Sequence, residues 1–214
     1  MLTGSKTERL MAIMTAGAGI ALLAFVALTA ATPLSPEPVS TVVRGQMSDL
    51  PKPQYTAEGR MLRPTPSYRQ WTFVGTPLTP NELNLPAAPF PEFHNVYVHP
   101  DDFRHYSETG EWPNGTYFVK ELVSIGAKRA SSGNGYFQGE FIGLEVSVKD
   151  ADRFPDVPGN WAYFSFGHEY PLADSAGPQR VSDCNVCHAA NADDDWVFTQ
   201  FYPVLRAAIA PAGQ

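Results

Sequence analysis

Thr116-Tyr117-Phe118-Val119-Lys120-Glu121-Leu122-Val123-Ser124-Ile125 is rich in β-branched and aromatic residues and follows the turn Pro113-Asn114-Gly115. Such a run reads as a long strand. Side chains alternate between the two faces of a strand, so Tyr117, Val119, Val123 and Ile125 share one face and Phe118, Lys120 and Leu122 the other. The first is a core face, although Glu121 also falls on it. From Phe141 to Val148 the pattern recurs: Ile142, Leu144, Val146 and Val148 point one way, and Phe141, Gly143 and Glu145 the other. Each strand thus sets one ionisable group, Lys120 or Glu145, among apolar or small neighbours on its second face. Two readings stand, because ionisable residues are seldom buried without a partner. Either the pair sits on a solvated outer face, free or bonded to each other, or it lines a site. Gly143 would let a flat ring approach the backbone closely.

Outward from this pair, Trp71–Val74, Phe93–Val98 and Trp161–Phe166 read as further strands, and the strand holding Glu145 extends back to Tyr136. Asp101 to Thr109 is a short helix stopped by Gly110. Thr76 to Asn81 and Ser131 to Gly135 are loops by their Pro, Gly and Ser content. The expected fold is mainly β (α+β): an antiparallel sheet domain with short helices and a C-terminal helical segment. In that segment Ser182 or Asp183 should cap one helix. One of Asp193, Asp194 and Asp195 should cap another, running from Trp196 to Tyr202 and kinked or restarted at Pro203.

Within the C-terminal segment lies Cys184-Asn185-Val186-Cys187-His188. The C-x-x-C-H spacing reads as a covalent attachment site for c-type haem. Thiols at i and i+3 project from one side of a helical turn, where both can reach the haem vinyl groups, and His188 follows as proximal iron ligand. A Cys-rich zinc site cannot be completed, since these are the only two cysteines, and no βαβ pattern supports a thioredoxin-like pair. All five methionines, at positions 1, 11, 14, 47 and 61, precede the expected domain, which disfavours a His/Met haem. His99 and His105 read as surface residues, and His94 and His168 are left as candidate sixth ligands. The default is a five-coordinate iron open to small ligands.

The segments Gly115-Thr116, Val119-Lys120-Glu121-Leu122-Val123-Ser124, Gly133-Asn134-Gly135-Tyr136-Phe137, Ile142-Gly143-Leu144-Glu145, Gly159-Asn160-Trp161-Ala162 and the C-x-x-C-H run resemble the cytochrome P-460 family. The closing run from Val197 to Arg206 is similar to the same family. The resemblance spans about Tyr68 to Ala208. It implies a mainly β domain, usually a homodimer, that oxidises hydroxylamine to nitrous oxide or nitric oxide at a covalently attached haem c and passes electrons to a soluble cytochrome c. It further implies that Lys120 is joined to the haem edge, that Glu145 is the distal proton acceptor, and that Cys184, Cys187 and His188 hold the haem. The related cytochrome c′-beta proteins share the fold, lack the lysine link and bind nitric oxide, so Lys120 favours the enzyme. A plain electron-transfer cytochrome is a third reading. His94 stands where close relatives are expected to carry arginine.

At the other end, Lys6 and Arg9 precede an uncharged run from Leu10 to Ala31, which reads as an export signal. Thr29-Ala30-Ala31 offers small residues for cleavage, and retention as a membrane anchor is the alternative. Export predicts a periplasmic protein. Residues 32–66 are Pro-rich and read as a linker or a segment draped over the domain, which is expected over 67–210. A net charge of −7 disfavours a nucleic-acid partner.

Overall fold

The computed structural model describes residues 50–209. The expected signal segment and residues 32–49 lie outside the described residues. Among those described, no helix is long and apolar enough to cross a membrane.

The chain runs through β1 (Met61–Leu62), β2 (Thr72–Gly75), β3 (Phe93–Val98), α1 (Pro100–Thr109), β4 (Tyr117–Ile125), β5 (Arg129–Ala130), β6 (Gly133–Asn134), β7 (Gln138–Lys149), β8 (Trp161–Ser165), β9 (Ser175–Ala176), α2 (Asn185–Asn191) and α3 (Pro203–Ala208). Five strands form the main sheet in the order β2-β3-β4-β7-β8, each antiparallel to its neighbour. The fold is mainly antiparallel β with short helices, as the alternating pattern predicts.

Apolar residues fill both faces of the sheet. On the first face Tyr117, Val119, Leu144, Val146 and Phe164 pack beneath Met61, Tyr68 and Trp71. On the second, Val96, Val98, Phe118, Trp161 and Tyr163 pack beneath Tyr106 of α1 and Val197 and Leu205 near the C-terminus. Of the two readings of that face, the solvated outer face is therefore the one that fails: it is a second core layer. The described part of the Pro-rich stretch lies along the domain: β1 pairs with β9, and Met61 is fully buried. Lys52 reaches the buried Asp102 of α1 at 2.6 Å. That contact, with Leu50 and Trp71, also accounts for a correction at His99. Expected on the surface, it is 1% exposed, its Nδ1 accepting from Asp101 N–H to cap α1 and its ring edge-on to Trp71. His105 is exposed, as expected.

The pleat holds where the two long strands face each other. Phe118 pairs with Ser147, Lys120 with Glu145 and Leu122 with Gly143. Beyond Leu122 the register shifts, so Val123 pairs with Phe141. This bulge inverts the expected side of Phe141, whose ring lies under the Arg69 guanidinium at 4.3 Å, by Glu121 rather than Glu145.

Candidate haem site on the second face of the sheet

An open cavity, with about 520 Å³ of space between its walls, lies between the second face of the sheet and the C-terminal segment. Val96, Phe118, Lys120, Glu145 and Tyr163 line the sheet side, and His188, Val197, Phe198 and Tyr202 the other. Lys120, Glu145 and His188, far apart in sequence, thus share one cavity.

His188 is fixed by its first ring nitrogen. Its Nδ1 lies 2.7 Å from the carbonyl of Trp196, to which Nδ1–H donates, leaving Nε2 without a protein partner among the described residues. Burial lowers the imidazole pKa, against the opposing hydrogen bond to that carbonyl, so the ring is held neutral. Tyr163 and Phe198 flank it at ring distances of 4.4 and 4.7 Å. A neutral, oriented imidazole with one free nitrogen is what a metal ligand requires.

The backbone that supplies the carbonyl is unusual. Asp195 and Trp196 adopt left-handed φ values of 41° and 62°, where non-glycine residues are rare. The expected helix from Trp196 to Tyr202 is accordingly absent. A tight Asp194–Val197 bridge replaces it, followed by a 3-10 turn at Thr199–Phe201 and then α3. The Asp195 carboxylate accepts from Lys149 Nζ at 2.6 Å and Trp161 Nε1 at 3.2 Å, which offsets the strain. The Trp196 indole lies over Gly159, where an added Cβ would come within 2.6 Å of the ring. Apart from the Gly159-Asn160-Trp161 segment itself, the sequence carries no local signal for these supports.

Cys184 and Cys187 are free thiols, the first partly buried and the second exposed. Cys184 itself occupies the N-cap position of α2, so neither Ser182 nor Asp183 caps this helix; Asp183 instead accepts from Arg180 at 2.9 Å. The turn is anchored by Asn185, 2% exposed, whose amide donates to the Trp161 carbonyl at 2.7 Å. In the motif Asn185 is only an unspecified position, so nothing in the spacing marks it.

Across the cavity Lys120 and Glu145 form an ion pair, with 27% and 20% of their side chains exposed. The Lys120 ammonium also lies 5.1 Å from the Phe90 ring centroid. Glu145 Oε1 is 3.0 Å from His168 Nε2. Burial works against ionisation of Glu145, yet the His168 hydrogen bond and the Lys120 charge outweigh it and hold the carboxyl down to about 2. His168 is raised by the same contact. His94 faces Glu92 at 3.6 Å, and neither His94 nor His168 is among the cavity-lining residues. Gly143 does admit a close neighbour, but it is backbone: an added Cβ would meet the Gly167 carbonyl at 2.7 Å.

Compared with known families, residues 65–199 match Cytochrome P460. The chain belongs to the cytochrome P460 family. No curated protein matches it. Membership of the cytochrome P460 family implies haem, and the residues present fit one. Two unpaired thiols sit one helical turn apart. His188 offers one nitrogen to the cavity. Among the described residues the Tyr163 hydroxyl and Trp196 indole N–H on its walls are buried without a partner, as expected where a further group completes the site.

Proposed function

We propose that the protein is an exported c-type haem enzyme that oxidises hydroxylamine to nitrous oxide or nitric oxide. Cys184 and Cys187 would hold the haem through thioether bonds, and His188 Nε2 would be the proximal ligand. When bound, the haem supplies an iron that takes hydroxylamine as a ligand and a path by which electrons leave. The observation carrying the proposal is the shared cavity: one amine and one carboxylate, directly opposed on β4 and β7, face the same space as His188.

Glu145 is the proton acceptor in this reading. Hydroxylamine loses protons as it loses electrons, and a carboxylate at the cavity wall can take them. Lys120 governs how strongly. As an ammonium it keeps Glu145 ionised and weakly basic; were its nitrogen instead to replace a hydrogen at the porphyrin edge, a two-electron oxidation for which a peroxide would serve as oxidant and be reduced to water, that charge would be gone. Burial would then be opposed by His168 alone, and the proton affinity of Glu145 would rise in the direction of a working base. The proposal includes the homodimer and the soluble cytochrome c acceptor implied by the family resemblance, and the periplasmic location implied by the first 31 residues.

Peptide mass analysis of the holoprotein tests the cofactor chemistry. Expected are a haem-bearing peptide containing Cys184 and Cys187 and a Lys120 peptide bonded to that haem. A Lys120 peptide recovered free, together with tight nitric oxide binding and no hydroxylamine turnover, would replace the enzyme by a gas-binding protein.

A further inference from the structure

We infer that His168 is the proton outlet of the site, carrying protons from Glu145 to bulk water. The inference rests on the reading of Glu145 as proton acceptor and adds what that reading lacks. A base lining a cavity must return its proton to solvent before it can act again, and Glu145 is only one-fifth exposed. Its Oε2 is engaged by Lys120, and its Oε1 lies against His168 Nε2 at 3.0 Å. His168 is half exposed, so one edge of its imidazole meets Glu145 while the ring remains open to water. Imidazole is the side chain whose proton affinity suits such transfer near neutral pH.

The main chain has been shaped to put His168 there. The Leu144 N–H donates to the Gly167 carbonyl at 3.2 Å, and the Phe166 N–H to the Leu144 carbonyl at 2.9 Å, which extends the pairing of β7 and β8 past Ser165. This track crosses Gly143, where an added Cβ would collide with the Gly167 carbonyl oxygen at 2.7 Å and stand only 2.8 Å from Leu122 and 3.2 Å from the His168 Cα. Gly167 itself has φ 117°, turning the chain so that the imidazole comes back over the sheet. The charges felt by His168 are Glu145 on β7, Lys120 on β4 and Glu92 before β3. The two carboxylates favour the protonated ring, and Lys120 opposes it.

Transfer balances simply. The carboxyl proton of Glu145 passes to Nε2 of neutral His168, which regenerates the carboxylate. The resulting imidazolium releases its Nδ1 proton to water, and the exposed ring turns or exchanges to reset. His168 touches no reacting atom in this scheme and works through Glu145.

His168→Gln and His168→Asn in the holoprotein separate a relay from a mere support. Glutamine can keep a hydrogen bond to Glu145 but cannot carry a proton through. In weak buffer both variants should turn over hydroxylamine at least about tenfold more slowly than wild type. A high concentration of a tertiary-amine buffer with pKa near 7, too bulky to ligate iron, should restore both. A pH jump followed by haem absorbance should relax more slowly in both variants by a similar factor, with the same rescue. Wild-type relaxation in His168→Gln, or slowness that buffer does not relieve, would overturn the relay. Failure of the wild type to oxidise hydroxylamine would overturn the enzymatic reading alone, because the pH jump still reports on His168.

Discussion

Glu121 and Glu145 occupy adjacent strands of one sheet, and both carboxylates are largely withdrawn from water, yet they are built for opposite purposes. Glu121, on the first face, is 2% exposed and accepts from Tyr68 Oη and Arg69 Nε at 2.6 Å each, with Tyr97 Oη at 3.5 Å. These donors lie away from the cavity, and the site closes over the carboxylate. Burial and Glu121 together push the Tyr68 phenol far above its usual range, so this donor never titrates under ordinary conditions. Glu145, on the second face, is held by an amine and an imidazole, and its carboxylate lines the cavity shared with His188. The comparison shows that burial alone does not mark a reactive carboxylate. Each glutamate has one partner that reaches water, Arg69 for Glu121 and His168 for Glu145. What distinguishes Glu145 is that its water-reaching partner is an imidazole, which can change its own charge near neutral pH, whereas a guanidinium stays charged.

Crossing the two glutamates is the severest test of that contrast. Glu145→Gln removes the proton acceptor and should lower hydroxylamine turnover by about a hundredfold or more, while small ligands still bind the iron. Glu121→Gln should leave turnover per folded molecule unchanged and instead cost roughly 2 kcal/mol of stability, because two charge-assisted hydrogen bonds weaken in a buried site. Turnover unaffected by Glu145→Gln, or a selective kinetic loss in Glu121→Gln, would break the comparison.

A gentler test uses pH, in protein whose Lys120 is not linked. Glu145 has a folded-state pKa depressed from 4.5 to about 2, so its stabilisation is complete above 4.5 and is lost as pH falls toward about 2. His168 behaves oppositely. Its pKa is raised above the ordinary 6.5, so its stabilisation is complete below that value and fades as pH climbs through the raised one. Melting temperatures of wild type and Glu145→Gln should therefore converge in acid, and the variant should also lose the slope due to His168 above 6.5. Parallel curves from acid to neutral pH would mean that the Glu145 contacts do not form in solution.

The contrast between the two faces was half legible in the sequence. Strict alternation put Lys120 and Glu145 on one side and Glu121 on the other, and a local rule is sufficient for that. Which side His188 would join is a matter of chain path over some forty residues, on which alternation is silent. Phe141 was misassigned because a bulge costs only one residue and leaves no compositional trace. The Asp193-Asp194-Asp195 run followed by aromatic and β-branched residues satisfies the rules for a capped helix. It forms none because Lys149 and Trp161, distant in sequence, hold Asp195 in a left-handed conformation that no local propensity favours. His99 reads as polar surface until Leu50, Lys52 and Trp71 close over it. The C-x-x-C-H motif was legible because covalent chemistry fixes its spacing, whereas Asn185 anchors the same turn through tertiary contacts and is invisible within it.

The smallest expected effect concerns the Lys–Glu pairing itself. Lys128 and Glu82 make the same kind of ion pair, with side chains 60% and 45% exposed. Water and salt screen such a pair, and ordering two long side chains offsets much of what attraction remains. Lys128→Met should therefore leave both melting temperature and turnover within measurement error. Lys120→Met should not: it leaves Glu145 at the cavity wall with His168 alone, so the carboxyl must rise from about 2 and the acid limb of the stability curve must move to higher pH with it. If the two substitutions proved equally silent in that titration, the low proton affinity of Glu145 would owe nothing to its amine neighbour. The link between joining Lys120 to the haem and waking Glu145 as a base would then fail, even with every cavity residue in its present position.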